Sequence, residues 1–144
     1  MNAIRVVIVG FIVLETTNVI ALYFFPGSKY ANSVGIFKAW ERSKTEPEMH
    51  VFVKYLVNWV AGTKVIFLLL LGVILVIADG RGLFYTGIAM VISISLFFWR
   101  LYPLIRQMDQ GDEIQPPNYS TILGLMISVF VVVFVVALSI SGTG

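Results

Sequence analysis

The chain has 144 residues, 58% of them hydrophobic and only 12% charged, with a formal net charge of +2. A soluble domain carries roughly a quarter charged residues, so this chain lacks the polar coat to stand in water, and its length excludes a multidomain machine. The absence of cysteine rules out disulfides, thiolate metal sites and thiol nucleophiles, and a small, dispersed positive charge argues against nucleic acid as a partner.

A bilayer core of about 30 Å needs about 20 apolar residues in a helix, and four stretches meet that length. The first covers about 4–25 and stops at Pro26-Gly27, a pair that ends helices. Its apolar run is too long for a signal-peptide core and no small-x-small cleavage site follows, so it reads as a retained span. The second lies within 51–78, with its hydrocarbon portion at about 55–78, and ends at Asp79-Gly80-Arg81-Gly82. Because the whole stretch is longer than the bilayer core, His50 to Asn58 should carry the helix into the headgroup layer, with Trp59 as an interfacial anchor. The third span is expected at about 83–104 and the fourth at about 119–141. Uniformly apolar runs of this length are helices and not barrel strands. The expected fold is therefore an all-α integral membrane protein: one domain, an antiparallel four-helix transmembrane bundle.

The loops differ in kind. In the first, Tyr30, Val34, Phe37 and Trp40 recur at three or four residues, with Lys38, Glu41, Arg42 and Lys44 between them. That spacing predicts a short amphipathic helix on the membrane surface. The loop from Arg106 to Asn118 combines Asp109, Gly111, Asp112 and Glu113 with Pro116-Pro117, a polar turn leading into the fourth helix. With four spans these two loops share a side, which holds Lys29, Lys38, Arg42, Lys44 and Arg106, against only Arg5 and Arg81 opposite. The positive-inside rule puts both long loops in the cytoplasm and both termini on the other side. The expected location is the inner membrane of a bacterium or archaeon, as a multi-pass protein.

Ionisable residues inside a span are expensive and are functional candidates by default. Glu15 sits in the middle of the first span, with Asn18 on the same face three residues on. Thr16 and Thr17 point elsewhere and can bond back to their own helix. On the second span His50, Lys54, Val57, Ala61, Lys64 and Leu68 form one stripe flanked by Asn58. Lys64 is the expected partner of Glu15, because helices joined by one loop are usually neighbours. The competing readings are that Glu15 is interhelical glue and that Lys64 snorkels to the headgroups. Lys54, Lys64, Arg100 and Arg106 could also line a basic pocket on the cytoplasmic side for an anionic headgroup or metabolite. The plainer reading of Trp99, Arg100 and Tyr102 is the ordinary interfacial belt. Gly124 with Ser128, and Ala89 with Ser93, are small-residue steps that permit close helix contact.

No catalytic signature is legible. A single histidine excludes a His-rich metal site, an HExxH motif and two-histidine haem ligation within one chain, so no cofactor or metal is expected. His50 has no serine evident beside it for nucleophilic work. Three functions remain open. One is a transporter or channel-like protein with a polar midplane site at Glu15, Asn18, Lys64 and Asn58. The second is a non-enzymatic bundle that binds lipid or a partner subunit through Lys54, Arg100 and Arg106. The third and weakest is a membrane enzyme on a hydrophobic substrate. The expected partners are membrane lipids and either further copies of the chain or a larger membrane complex.

Overall fold

Backbone groups inside a bilayer have no water to bond and must be satisfied within the segment itself, which makes long Val-, Ile-, Leu- and Phe-rich runs helical. In the computed structural model, which describes residues 3–142, these runs and one short polar segment form six helices. They are α1 (Ala3–Phe24), α2 (Lys38–Ser43), α3 (Pro47–Ile77), α4 (Gly80–Ser95), α5 (Phe97–Gln110) and α6 (Tyr119–Gly142). Among the described residues there is no strand beyond one isolated bridge, Phe37 with Ile114. Four units are long and apolar enough to cross a membrane: α1, α3, α4 with α5 as one, and α6.

The boundaries have local causes. α1 stops just short of Pro26. α3 begins with Pro47, whose missing N–H is one that a first helical turn leaves unbonded anyway. Asp79 caps α4, its Oδ1 accepting from Gly82 N at 2.7 Å. Between α4 and α5 the ladder falters for one residue, Leu96, where Trp99 N turns to Leu96 O at 3.1 Å. Pro103 lies one turn further on, and its ring withholds the N–H that would have bonded the Trp99 carbonyl. At 31 residues α3 is about 46 Å long, well beyond the core of a bilayer, as its length in the sequence requires.

Packing divides into two levels. Towards the chain termini, Ile4 and Ile8 of α1 are fully enclosed with Leu71, Leu83, Met90, Phe134 and Ala137, drawing α1, α3, α4 and α6 together. Phe11 sits above this layer and meets Phe67, Phe130 and Phe134 edge to face, with ring centroids 6.2, 5.9 and 5.9 Å away. Towards the loops the core splits. Leu22, Trp40, Val57 and Ala61 join α1, α2 and α3, whereas Ile36, Ile105, Ile114 and Leu123 join the loops to α5 and α6. Gly124 is buried because the Tyr102 ring lies against it, and an added Cβ would stand 2.7 Å from Tyr102 Cε2. Ala89, Ser93 and Ser128 are exposed, so those small residues make no close helix contact within the chain.

The first loop is more irregular than one amphipathic helix over Tyr30 to Trp40. Ala31 and Asn32 both adopt left-handed backbone (φ 55° and 54°), which no right-handed helix can contain. A single 3-10 turn follows at Val34–Ile36, Phe37 is extended, and only Lys38–Ser43 is α-helical. Tyr30 is exposed while Trp40 is buried against α1 and α3, so the four residues do not share a face. Gly35 is the tightest point: a Cβ there would lie 2.1 Å from the Gly27 carbonyl oxygen.

The two long loops dock on one another. Lys38 N donates to Glu113 O at 2.9 Å and Gln115 N to Ile36 O at 2.8 Å. Lys38 pairs with Asp112 at 2.6 Å, and Arg42 pairs with Glu113. These surface pairs each contribute little, but with the backbone bonds they fix the register of the two loops. At the opposite end Ile4 N donates to Ser141 Oγ at 3.4 Å, so α1 and α6 meet at the end away from the loops.

Candidate functional site

Glu15 and Asn18 occupy one face of α1 because residues three apart lie one above the other on a helix. That face meets α3 at Lys64. The Lys64 ammonium donates to Glu15 Oε2 at 2.7 Å and to Asn18 Oδ1 at 2.6 Å. The Asn18 amide nitrogen then donates to Ala31 O at 2.6 Å and Asn32 O at 3.1 Å. Asn32 Oδ1 in turn accepts from the Tyr119 hydroxyl at 2.6 Å. One connected network therefore runs from α3 through α1 and the first loop to the start of α6. Thr16 and Thr17 take no part, since each bonds a carbonyl of its own helix.

Asn18 has a second role in this network. Left-handed backbone at a non-glycine residue costs roughly 1–2 kcal/mol per residue, and Ala31 and Asn32 are consecutive. The two bonds from the buried Asn18 amide hold their carbonyls in that conformation. Loop and site are thus built by the same side chain.

The Glu15–Lys64 pair is not sealed. Each side chain keeps 29% of its surface, and Glu15 and Asn18 line a groove of about 460 Å³ between α1 and α6. Asn32 and Tyr119 line it towards the loops, and Ile122, Met126 and Phe130, which recur every four residues, line its α6 side. The groove is open along its side, since Leu14, Ile122 and Met126 are exposed. Among the described residues no hydrogen bond reaches Glu15 Oε1.

The remaining sequence candidates lie apart from this network. Asn58 is exposed and donates to Lys54 O of its own helix at 2.8 Å, so it does not join Lys64. Lys54, Arg100 and Arg106 are exposed. Arg100 lies over the Trp99 ring at 5.5 Å, as in an interfacial belt. Arg106 borders a small polar cleft with Asp109, whose Oδ2 accepts from Ser120 N and Oγ at 2.9 and 2.6 Å at the start of α6. Lys54 is on α3, which packs mainly on α1, whereas Arg100 and Arg106 are on α5, which packs mainly on α6.

Two features escaped the sequence. Asn32 and Tyr119 are 87 residues apart and carry no motif; the only hint was an aromatic hydroxyl in the first turn of the fourth span. The other is a serine beside His50, which the sequence did not reveal: Ser43 Oγ lies 2.9 Å from His50 Nδ1. It is not a nucleophile arrangement, because Ser43 is buried and its hydroxyl already donates to Trp40 O at 2.7 Å. With the Trp40–His50 ring contact at 5.0 Å, the Ser43–His50 contact ties α2 to the first turn of α3.

No family model, no curated protein and no solved structure matches this chain. The class that stands on the fold is an all-helical protein with four helices able to cross a membrane.

Proposed function

We propose that this protein is a transporter or channel-like membrane protein, a single antiparallel four-helix transmembrane domain that handles its solute at the polar network around Glu15, Asn18 and Lys64. In this reading α2 stands at the membrane interface, both long loops are cytoplasmic and the termini lie opposite. The observation that carries the functional part is the Lys64 ammonium held between Glu15 and Asn18 at 2.7 and 2.6 Å in the middle of two long apolar helices, with the carboxylate bordering an open groove. A charged pair at that depth is unfavourable unless protein or water faces it. A purely structural pair gains nothing from access, whereas a working one needs it. To pass a proton the pair must take one up at Glu15 and then release it, changing its net charge by one, and that step needs a polar neighbour at the exposed part of the pair.

The test is proton flux into pyranine-loaded proteoliposomes under an imposed potassium diffusion potential. Wild type should acidify the lumen faster than protein-free vesicles, and Glu15→Gln should fall to the protein-free rate while eluting as the same monodisperse species. Equal rates for wild type and empty vesicles would overturn proton transport. Aggregation of Glu15→Gln with normal wild-type flux would mark the carboxylate as interhelical glue. The lipid-binding reading through Lys54 and Arg100 has less behind it, because both are exposed on helices that pack on different partners.

A further inference from the structure

We propose that the two docked loops are a gate. When they part, α5 and α6 tilt away from α1 and α3 at the loop end, and water reaches Glu15 along the groove between α1 and α6. This deepens the reading of Glu15 and Lys64 as a working polar site and rests on it.

At the loop end each side of the groove is tied to itself by its own bonds. On one side α3 packs on α1. The Asn18 amide holds the first loop at Ala31 and Asn32, and the Ser43–His50 contact holds α2 to α3. On the other side α5 packs on α6, and Asp109 of α5 accepts from Ser120 N and Oγ in the first turn of α6. Across the divide run the Phe37–Ile114 bridge, the burial of Ile36 against Ile105, Ile114 and Leu123, and the Asn32–Tyr119 bond. The ion pairs Lys38–Asp112 and Arg42–Glu113 cross it too. Both are exposed and contribute little, which suits a contact that must break and re-form.

The third span supplies the hinge. Its ladder falters at Leu96, and one turn on Pro103 leaves the Trp99 carbonyl without its N–H. α5 can therefore follow α6 while α4 stays in the layer around Ile4, Ile8 and Phe134, which joins four helices at the far end. Closure matters because of where Glu15 lies. Phe11 packs on Phe130 and Phe134, so Glu15, one turn further along α1, stands level with Met126 and Phe130. That is about two to three turns below Tyr119. At this depth the open side of the groove faces lipid, which brings no water. The loop end faces water, and Asn32 bonded to Tyr119 lines the groove there.

Because the chain has no cysteine, the gate can be locked and probed with thiols. Phe37 and Ile114 are an opposed antiparallel pair flanked by Lys38 N to Glu113 O and Gln115 N to Ile36 O. Such a non-hydrogen-bonded pair holds its Cα atoms about 4.5 Å apart, within disulfide reach. Phe37→Cys with Ile114→Cys, once oxidised, should bring proton flux in proteoliposomes down to the protein-free rate, and reduction should restore it. The second measurement needs no transport. In nanodiscs, Met126→Cys should react with a membrane-impermeant cationic methanethiosulfonate about fivefold faster when Tyr119→Phe is added, the scale of one hydrogen bond lost from the closed form. Val129→Cys, at the same depth but on the exposed face of α6, should stay unreactive in both backgrounds. A reduced pair that conducts like wild type and still conducts when oxidised overturns the gate. So does labelling at Met126 that ignores Tyr119→Phe, or that is matched by equal acceleration at Val129. If the double substitution itself disables the protein, the labelling decides. Gated labelling without proton flux would remove the transport reading alone, while flux that neither the lock nor Tyr119→Phe alters would remove only the gate.

Discussion

Lys64 is a donor to two acceptors on the neighbouring helix, and the three residues do not contribute alike. Glu15→Gln keeps an oxygen that Lys64 can reach, so the network survives with a weaker bond. Lys64→Met is harsher, because it leaves Glu15 and the buried Asn18 Oδ1 without their donor. Removing one partner of a fully buried ion pair costs about 3–5 kcal/mol, and at 29% exposure the expected loss is smaller, about 1–3 kcal/mol. The double variant Glu15→Gln with Lys64→Met should be more stable than Lys64→Met alone, since it no longer strands a carboxylate. Equilibrium unfolding of the three variants in detergent checks this, and strictly additive losses would contradict the coupling. The pair was legible in the sequence because charge is so rare in the spans and because a three-residue spacing fixes a helix face. Asn32 and Tyr119 were not, because they join through a loop folded back by left-handed Ala31 and Asn32, a geometry that neither residue type demands.

At the scale of elements, glycines report how closely the pieces approach. Gly72 in α3 has nothing within 4 Å of an added Cβ, so Gly72→Ala should raise stability by up to about 1 kcal/mol through helix propensity alone. Gly124→Ala meets the Tyr102 ring at 2.7 Å, a side chain that can swing aside, and should lose stability moderately. Gly35→Ala meets backbone at 2.1 Å from the Gly27 carbonyl oxygen, which cannot yield without opening the first loop. The expected order of melting temperatures is therefore Gly72→Ala, Gly124→Ala, then Gly35→Ala lowest, and Gly35→Ala should also expose the loop to limited proteolysis. A Gly35→Ala protein that melts like wild type would refute the close approach. The spans themselves were readable because apolar length alone sets them. The first loop departs from the single amphipathic helix its spacing predicts, because spacing cannot distinguish a face turned to lipid from Trp40 turned inward onto Val57 and Ala61, nor anticipate the extended Phe37 that pairs with Ile114.

At the scale of the whole molecule the question is which end faces the cytoplasm. The bonds between the two long loops put Lys29, Lys38, Arg42, Lys44 and Arg106 at one end of the helices, and the Ile4–Ser141 contact puts the start of α1 and the end of α6 at the other. The loop end also carries acidic residues, and Lys38 and Arg42 are paired with Asp112 and Glu113. Orientation nevertheless follows the count of Lys and Arg in short loops and not the net charge, because acidic residues contribute little. The α4 start, with Arg81 as its only basic residue, should then face outward. A chain without cysteine allows a direct test by single substitutions at exposed sites. In intact cells Arg81→Cys should react with a membrane-impermeant maleimide and Glu46→Cys should not, and permeabilisation should make both react. The reverse pattern would invert the molecule, placing the Asn32–Tyr119 end of the groove nearer the outer face and reversing the side from which the polar network meets water.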